Sequence, residues 1–223
     1  MNNITILLAE DHTVVREGFR MLLDAEADLE VVGEAQTGRE AVELTKRLRP
    51  SVIVMDIAMP LLNGLEATRQ IRKAFPNTKV VLLSAHNDDA YVDHAIAAGA
   101  AAFLVKQTSA HDLSRAIRTV QKGNTFFSPS VARRLHDQKM PGRGGALRKK
   151  IARLSSREIE VLQLIAEGKA NKQTASELGI SIKTVEKHRQ NLMAKLNIHE
   201  ISGLTRYAIA AGIIESSVQL TII

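Results

Sequence analysis

Apolar residues in the first 123 positions follow two alternating periods. In some stretches they recur every three or four positions, as at Val15, Phe19 and Leu22, which is the spacing of an amphipathic helix. In others they form short, nearly continuous runs rich in β-branched residues, as in strands buried on both faces. The predicted strands are Ile4–Ala9, Glu30–Ala35, Ser51–Asp56, Lys79–Ala85 and Ala101–Lys106. Five strand–helix units with short connections predict an α/β doubly wound, five-stranded parallel sheet with helices on both sides.

The pattern changes after about residue 123. Residues 140–150 are rich in glycine and basic side chains and have no periodicity, which is typical of a linker. Helical spacing then returns, with a tight turn at Gly179 and a helix-capping serine at Ser181. These features predict a helix from Ile182 to about Leu196 and a last helix over Ser202–Ala211. We therefore expect an α/β domain at 1–123, a linker at 124–152 and an all-α domain at 153–223.

Composition excludes several classes of protein. The chain of 223 residues is 45% hydrophobic and 24% charged, as in an ordinary globular protein, and it has no cysteine, so disulfide and thiolate metal sites are excluded. The apolar run Ile4–Ala9 is too short for a signal core or a membrane span and lacks basic flanks. We expect a cytoplasmic protein without a membrane partner.

The net charge of +6 is confined to the second half of the chain. Residues 1–135 contain 16 basic and 16 acidic side chains, whereas residues 136–223 contain 14 and 8. Such asymmetry favours a polyanionic partner for the second domain, although a solvated basic face would explain it equally well without a supporting motif. An aromatic content of 3% offers no stacking platform for bases, which disfavours a single-stranded nucleic acid as that partner.

Polar residues end four of the predicted strands. Glu10 and Asp11 follow the first strand, Asp56 ends the third, Ser84 lies at the end of the fourth, and Lys106 ends the fifth. In a doubly wound sheet, ligands bind outside the carboxyl ends of the strands. Polar strand ends are common in loops, but that explains one or two such residues and not this set.

Clustered carboxylates repel one another unless a cation lies among them. Oxygen ligands in a small site suit Mg²⁺, which retains several waters and often shares its shell with a phosphate. The expected protein ligands are Asp11 and Asp56 directly, Glu10 through water, and the backbone carbonyl of Ala58. One carboxylate can also attack a phosphoryl group and form an acyl phosphate.

Together these residues resemble the receiver domain of two-component response regulators, a flavodoxin-like fold, over roughly residues 3–123. The resemblance implies that Asp56 accepts a phosphoryl group from a sensor histidine kinase or a small acyl phosphate, and that Lys106 and Ser84 stabilise it. It also implies that Phe103 is the aromatic switch residue. Two departures, Gln107 and Ala58, remove no catalytic side chain. The motif consists of Glu10-Asp11, Asp56, Met59-Pro60, Gly64, Ser84 and Lys106.

Two histidines adjoin this site. His12 follows the acidic pair and His86 follows Ser84 closely. A metal or acid–base role is conceivable for each, yet a loop histidine is usually exposed to solvent. Neither histidine is assigned a function.

The predicted helix from Ile182 to Leu196 has two faces. Inward-facing positions are Val185, His188, Leu192 and Leu196, and outward-facing positions are Lys183, Glu186, Lys187, Gln190 and Ala194. An outward face with Lys and Gln and little bulk suits the major groove, where Lys pairs with guanine acceptors and Gln with adenine. Periodicity alone does not exclude an ordinary amphipathic helix, but the short turn at Gly179, the preceding helix and the local net charge favour groove binding.

Residues 151–213 resemble the LuxR-type helix-turn-helix, and with the receiver-like domain the whole chain resembles the NarL/FixJ subfamily. The resemblance implies base or phosphate contacts at Lys183, Thr184, Glu186, Lys187 and Gln190, with Asn171 and Lys172 near the DNA backbone. One helix contacts few base pairs, so a homodimer on two half-sites is expected, with Ser202–Ala211 contributing to pairing. The motif includes Leu154-Ser-Ser-Arg-Glu158, Ala166-Glu-Gly168, Leu178-Gly-Ile-Ser181, Thr184-Val185 and His188.

The leading interpretation is a phosphorylation-controlled transcription factor and not an enzyme. One alternative is an Mg²⁺-dependent phosphohydrolase, but such enzymes carry a second Asp two residues after the nucleophile, where this chain has Ala58. Another is a DNA-binding protein whose acidic site binds Mg²⁺ without phosphotransfer. Radiolabel transfer to Asp56 distinguishes it from the leading interpretation.

Overall fold

The first domain is built on a parallel sheet of five strands. The computed structural model describes residues 3–85, 89–127 and 154–214. Its strands are β1 (Ile4–Ala9), β2 (Leu29–Ala35), β3 (Val52–Asp56), β4 (Lys79–Ser84) and β5 (Ala102–Val105). They have the order β2-β1-β3-β4-β5, so the direction of strand progression reverses between β1 and β3. This confirms the predicted doubly wound fold, with each strand within one residue of its predicted bounds.

Helices cover both faces of this sheet. Alternate residues of each central strand point to opposite faces, so the sheet contributes to two separate apolar cores. One core includes Ile53 and Met55 with residues of α2, α3 and α4, and the other includes Val52 and Val54 with residues of α1 and α5. The helices are α1 (Thr13–Asp24), α2 (Gly38–Leu48), α3 (Gly64–Ala74), α4 (Asp89–Ala98) and α5 (Ala110–Gln121).

Short polar side chains cap several of these helices. The side chains of Thr37, Asn63 and Ser109 accept hydrogen bonds from the backbone amides three residues later, at 3.1, 2.9 and 3.1 Å. Each bond satisfies an amide that has no partner within its helix. The cap at Asn63 fixes the start of α3, directly after the loop that leaves β3.

The first folded unit continues past residue 123. Phe126 pairs with Ala102 in an isolated bridge, and its amide donates to the carbonyl of Ala101 at 2.9 Å. Phe127 packs against the core that contains α2 to α4. These residues fall within the predicted linker, yet they contact the first domain. The rest of the predicted linker, residues 128–152, lies outside the described residues.

The second domain is all-helical. The chain divides into two compact units, Met1–Pro141 and Gly142–Ile223. The helices described in the second unit are α6 (Ser156–Ala166), α7 (Asn171–Leu178), α8 (Ile182–Leu196) and α9 (Ile201–Ala210). Of these, α6 contacts α8 and α9, and α7 packs against α8. None of the helices described in either unit has both the length and the hydropathy that a membrane crossing requires.

Candidate functional site

Acidic side chains meet at the carboxyl ends of β1 and β3, which are neighbours in the sheet. Glu10 and Asp56 are completely buried, whereas Asp11 is partly exposed. One carboxylate oxygen from each of the three lies within 4.8 Å of the other two. The sheet topology therefore brings together the acidic residues that the sequence predicts at this edge.

Lys106 is the cation of this cluster. Its Nζ lies 2.9 Å from Glu10 Oε2 and 3.0 Å from Asp56 Oδ2. The Lys106 amide donates to the carbonyl of Ser84 at 2.8 Å, which fixes the end of β5 beside β4. One ammonium thus contacts two buried carboxylates and offsets only part of their negative charge.

Burial controls the ionisation of these groups. Removal from water, reinforced by the charge of Glu10, raises the pKa of Asp56 from 3.8 to about 6, although Lys106 opposes the shift. Burial alone would lower the pKa of Lys106, but the carboxylates of Asp56 and Glu10 raise it above its ordinary value. Lys106 is therefore charged at neutral pH and helps to keep Asp56 ionised.

The cluster fits a hard divalent cation. Asp56 Oδ1 is buried and has no hydrogen-bond partner among the described residues. A buried carboxylate oxygen without a partner is costly unless a ligand satisfies it. The three carboxylates and the single Lys106 ammonium leave excess negative charge for a cation, and oxygen ligands are those that Mg²⁺ prefers.

Arg16 holds in place the turn that carries Glu10 and Asp11. This role was not predicted from the sequence. The Arg16 guanidinium is buried, donating to the carbonyl of Glu10 at 2.9 Å and to Glu34 Oε2 at 3.0 Å. The first bond fixes the backbone that carries Glu10 and Asp11. The available signal was an arginine on the buried face of an amphipathic helix. Its hydrogen-bond partners could not be inferred, because Glu34 is distant from Arg16 in sequence.

His12 is 66% exposed, as expected for a loop histidine, but it also contacts the acidic pair. Its Nδ1 lies 3.0 Å from Glu10 Oε1 and 3.0 Å from Asp11 Oδ1. The hydrogen bond to Glu10 raises the pKa of His12 above its ordinary value, and the charge of Asp11 adds to the shift. His86 lies outside the described residues.

Gly64 allows a close approach behind Asp56. Its amide donates to the carbonyl of Ile57 at 2.9 Å. A Cβ at this position would lie 2.0 Å from the carbonyl oxygen of Asp56, well inside contact distance. Only glycine can occupy this position without displacing the backbone that carries the Asp56 carboxylate.

Three further predicted residues lie around this edge. Ser84 is fully buried at the end of β4, next to β3 in the sheet. Phe103 on β5 is 7% exposed and packs into the core that contains α2 to α4. Ala58 lies in the loop after β3 and is half-buried.

The outward face of α8 is exposed as predicted. Lys183, Glu186, Lys187 and Gln190 are exposed and Thr184 is half-buried. On the inner face Val185, Leu192 and Leu196 are buried, whereas His188 is only half-buried. Ser181 caps the helix by accepting from the amide of Thr184 at 3.1 Å, and Gly179 ends α7 with a φ of 62°.

One ion pair joins α6 to α8, and one hydrogen bond from a charged side chain joins α6 to α7. Glu158 forms a capping box with Ser155 at the start of α6, and its Oε2 lies 2.7 Å from Lys195 Nζ near the end of α8. Arg157 donates to the carbonyl of Leu178 at 2.7 Å and so satisfies the end of α7. The rigid frame around α8 therefore depends on charged residues as well as on apolar packing.

A groove of about 680 Å³ separates the start of α7 from the outward face of α8. Asn171 Oδ1 accepts from Arg189 of α8 at 2.6 Å, which joins the two helices across it. Lys172 is exposed at its rim. Four of the seven predicted DNA contacts line this groove, namely Asn171, Lys172, Glu186 and Gln190.

Comparison with known proteins identifies the family. Residues 6–118 match the family model described as the response regulator receiver domain, and residues 152–208 match that described as bacterial regulatory proteins, luxR family. This chain is a response regulator of the NarL/FixJ subfamily. Such response regulators control transcription in response to phosphorylation and are not classical enzymes. Receiver domains bind Mg²⁺ at acidic residues. The carboxylates of Glu10, Asp11 and Asp56 form such a cluster here, which we call the acidic edge.

Relatives of this response regulator match it over nearly its whole length. It is 37% identical over 212 residues to the transcriptional regulatory protein DegU of Brevibacillus brevis, covering 89% of this chain and 90% of that one. It is 38% identical over 208 residues to the oxygen regulatory protein NreC of Staphylococcus carnosus, covering 92% and 96%.

A solved structure of RcsB from Salmonella enterica serovar Typhimurium, bound to a promoter in the presence of a phosphomimetic, is also similar. The TM-score is 0.59 with 29% identity, and the match covers 94% of this chain and all of that one.

Proposed function

We propose that Asp56 is the phosphoacceptor of this response regulator and that a sensor histidine kinase is its phosphoryl donor. The supporting observation is the buried carboxylate of Asp56 with Lys106 Nζ at 3.0 Å and an oxygen that has no hydrogen-bond partner among the described residues. An Asp56 oxygen attacks the phosphorus of the kinase phosphohistidine, the P–N bond breaks, and the histidine nitrogen takes up a proton.

The other residues of the acidic edge support this transfer. Asp11, Asp56 and the backbone carbonyl of Ala58 would hold Mg²⁺, with Glu10 acting through a water. The bound ion supplies charge neutralisation for the phosphoryl oxygens. Lys106 offsets the negative charge of the attached group, since its ammonium already lies beside Asp56.

A switch follows from the same geometry. The hydroxyl of Ser84, at the end of the strand beside β3, donates to a phosphoryl oxygen. Phe103 lies on the neighbouring strand β5 and moves with that rearrangement. Phosphorylation thereby shifts the equilibrium between a form with α8 masked and an open dimer.

DNA binding belongs to the second domain, which starts at about residue 153 and is joined to the first through the linker. Exposed Lys183, Lys187 and Gln190, with half-buried Thr184, present donors along one helix face, and Glu186 accepts from cytosine or orients Lys187. Asn171 and Lys172 contact the backbone from the start of α7.

The protein acts as a homodimer on double-stranded DNA in the cytoplasm, and α9 contributes to pairing. A solved structure of RcsB contains two dimers bound to two parallel DNAs. Pairing of two copies doubles the number of base pairs read.

A gel-shift titration with and without acetyl phosphate tests the proposal. We expect the donor to increase the DNA affinity of the wild-type protein and to leave that of Asp56→Asn unchanged. Radiolabel from the donor should appear on the wild type alone. If acetyl phosphate changed the DNA affinity of both proteins equally, phosphorylation of Asp56 would not control DNA binding.

A further inference from the structure

The exposed imidazole of His12 faces two carboxylates of the acidic edge. Its Nδ1 lies 3.0 Å from Glu10 Oε1 and 3.0 Å from Asp11 Oδ1. The four candidate donor atoms of Glu10, Asp11, His12 and Asp56 all lie within 4.8 Å of one another. A nitrogen ligand therefore adjoins the oxygen ligands of the cation site.

The two contacts of His12 Nδ1 match neighbouring positions of an octahedral coordination shell. An octahedral ion with ligands at about 2.1 Å places neighbouring ligand atoms about 3.0 Å apart and opposite ones about 4.2 Å apart. Both contacts of His12 Nδ1 have the length of a neighbouring pair. Asp56 Oδ1, buried and without a hydrogen-bond partner among the described residues, independently indicates that the cluster accommodates a ligand.

We propose that the acidic edge also takes a divalent transition-metal ion, with His12 Nδ1 as a ligand beside the carboxylates, in competition with Mg²⁺. This inference rests on the proposed cation site. Imidazole nitrogen is a good ligand for ions such as Ni²⁺ and Zn²⁺, whereas Mg²⁺ prefers oxygen. His12 thus makes the site respond to the kind of cation present.

The side-chain geometry gives His12 freedom to act in this way. The imidazole is exposed, so it reaches an ion without disturbing the buried core. The backbone amide of His12 donates to Glu10 Oε1 at 3.1 Å, which holds the residue next to the acidic pair. The same contacts would also suit an imidazolium that only neutralises the two carboxylates, and metal binding separates these two roles.

Calorimetric titration of the full-length protein with Ni²⁺ and with Mg²⁺ tests the proposal. We expect His12→Gln to weaken Ni²⁺ binding by about tenfold or more and to leave Mg²⁺ binding nearly unchanged. His111→Gln, which removes an exposed histidine of α5, is the matched control. The Ni²⁺ absorption spectrum of the wild type should carry the signature of a nitrogen ligand that His12→Gln loses.

Equal losses for both ions, or an unchanged Ni²⁺ affinity and spectrum, would overturn the role of His12. A different measurement tests whether the acidic edge is a cation site at all. If it is, Asp56→Asn loses affinity for Mg²⁺; if Asp56→Asn retains full affinity for Mg²⁺, the proposed cation site is wrong.

Discussion

The acidic edge of the first domain and the outward face of α8 in the second meet opposite physical demands. At the acidic edge Glu10 and Asp56 are completely buried and share one ammonium. On α8 the side chains of Lys183, Lys187 and Gln190 are exposed. Chemistry on a carboxylate needs a dry, preorganised environment, whereas reading DNA needs side chains that can exchange water for bases.

This difference decides what a single substitution does in each region. Within the buried cluster every charge depends on its neighbours, so removing one group changes the ionisation of the others. Along the exposed face each side chain acts nearly independently, so losses are small and add together. The following experiments test that contrast.

Replacing Lys106 by Met should have the largest effect. It leaves Glu10 and Asp56 buried without their shared cation, so the pKa of Asp56 rises above about 6 and the carboxylate is less often ionised. We expect the rate of label transfer from acetyl phosphate to fall by about 100-fold or more. Lys122→Met, at an exposed position, is the control. An unchanged rate in Lys106→Met would show that the ammonium plays no part in transfer.

Arg16→Met should destabilise the first domain and loosen the acidic turn. The change removes donors to the Glu10 carbonyl and to Glu34 from a buried position. We expect the free energy of unfolding to fall by about 2 kcal/mol or more, with weaker Mg²⁺ binding. Urea denaturation and calorimetry measure the two effects.

Arg20→Met is the matched control for Arg16, since Arg20 contacts the same Glu34 but is half exposed. Its loss should be about 0.5 kcal/mol, as for other exposed ion pairs. Equal losses in the two variants would mean that the buried bond to the Glu10 carbonyl contributes nothing.

Glu158→Gln should have a moderate, pH-dependent effect on the second domain. Burial opposes ionisation of Glu158, but the hydrogen bonds from Lys195 and Ser155 prevail and lower its pKa from 4.5. A lowered pKa in the folded state stabilises the domain above the ordinary pKa, and this contribution disappears as the pH falls through the lowered value.

We expect Glu158→Gln to lower the free energy of unfolding by about 1 kcal/mol at neutral pH and by less in acid. Urea denaturation at several pH values measures the difference between the two proteins. A difference that stayed constant down to strongly acidic pH would contradict an ionic role for Glu158.

Lys183→Ala should have a small effect that is confined to DNA binding. Loss of one phosphate contact on an exposed helix weakens DNA binding by about 1 kcal/mol and reduces the slope of log K against log salt by about 1. Lys122→Ala removes the same charge from the first domain and should leave the slope unchanged. If the slope of log K against log salt is the same in Lys183→Ala as in the wild type, Lys183 does not contact phosphate.

Sequence periodicity located most of the fold, because core positions repeat with the period of each element. The helix predicted from Ile182 to Leu196 has those bounds, and β1 lies where the apolar run predicts it. The convergence of Asp11, Asp56 and Lys106 was also predictable, since strand ends meet at one edge of a parallel sheet.

Contacts between residues distant in sequence were not predictable in this way. The bond from Arg16 to Glu34 and that from Arg118 to Asp28 depend on how helices pack against strands, which no local pattern records. The pairing of Phe126 with β5 was also not predicted, because apolar and polar residues do not alternate around Phe126 as they do in a strand. The contact of His12 with two carboxylates required the backbone geometry of the turn.

The tight space between Gly64 and the backbone of Asp56 limits how this protein can be engineered. A fluorescent reporter of phosphorylation needs an attachment point near the reaction that leaves the carboxylate undisturbed. Position 64 has no room for one, whereas Pro60, in the loop that precedes α3, is exposed. Since the chain has no cysteine, a single thiol introduced at residue 60 would be the sole attachment point for a thiol-reactive dye.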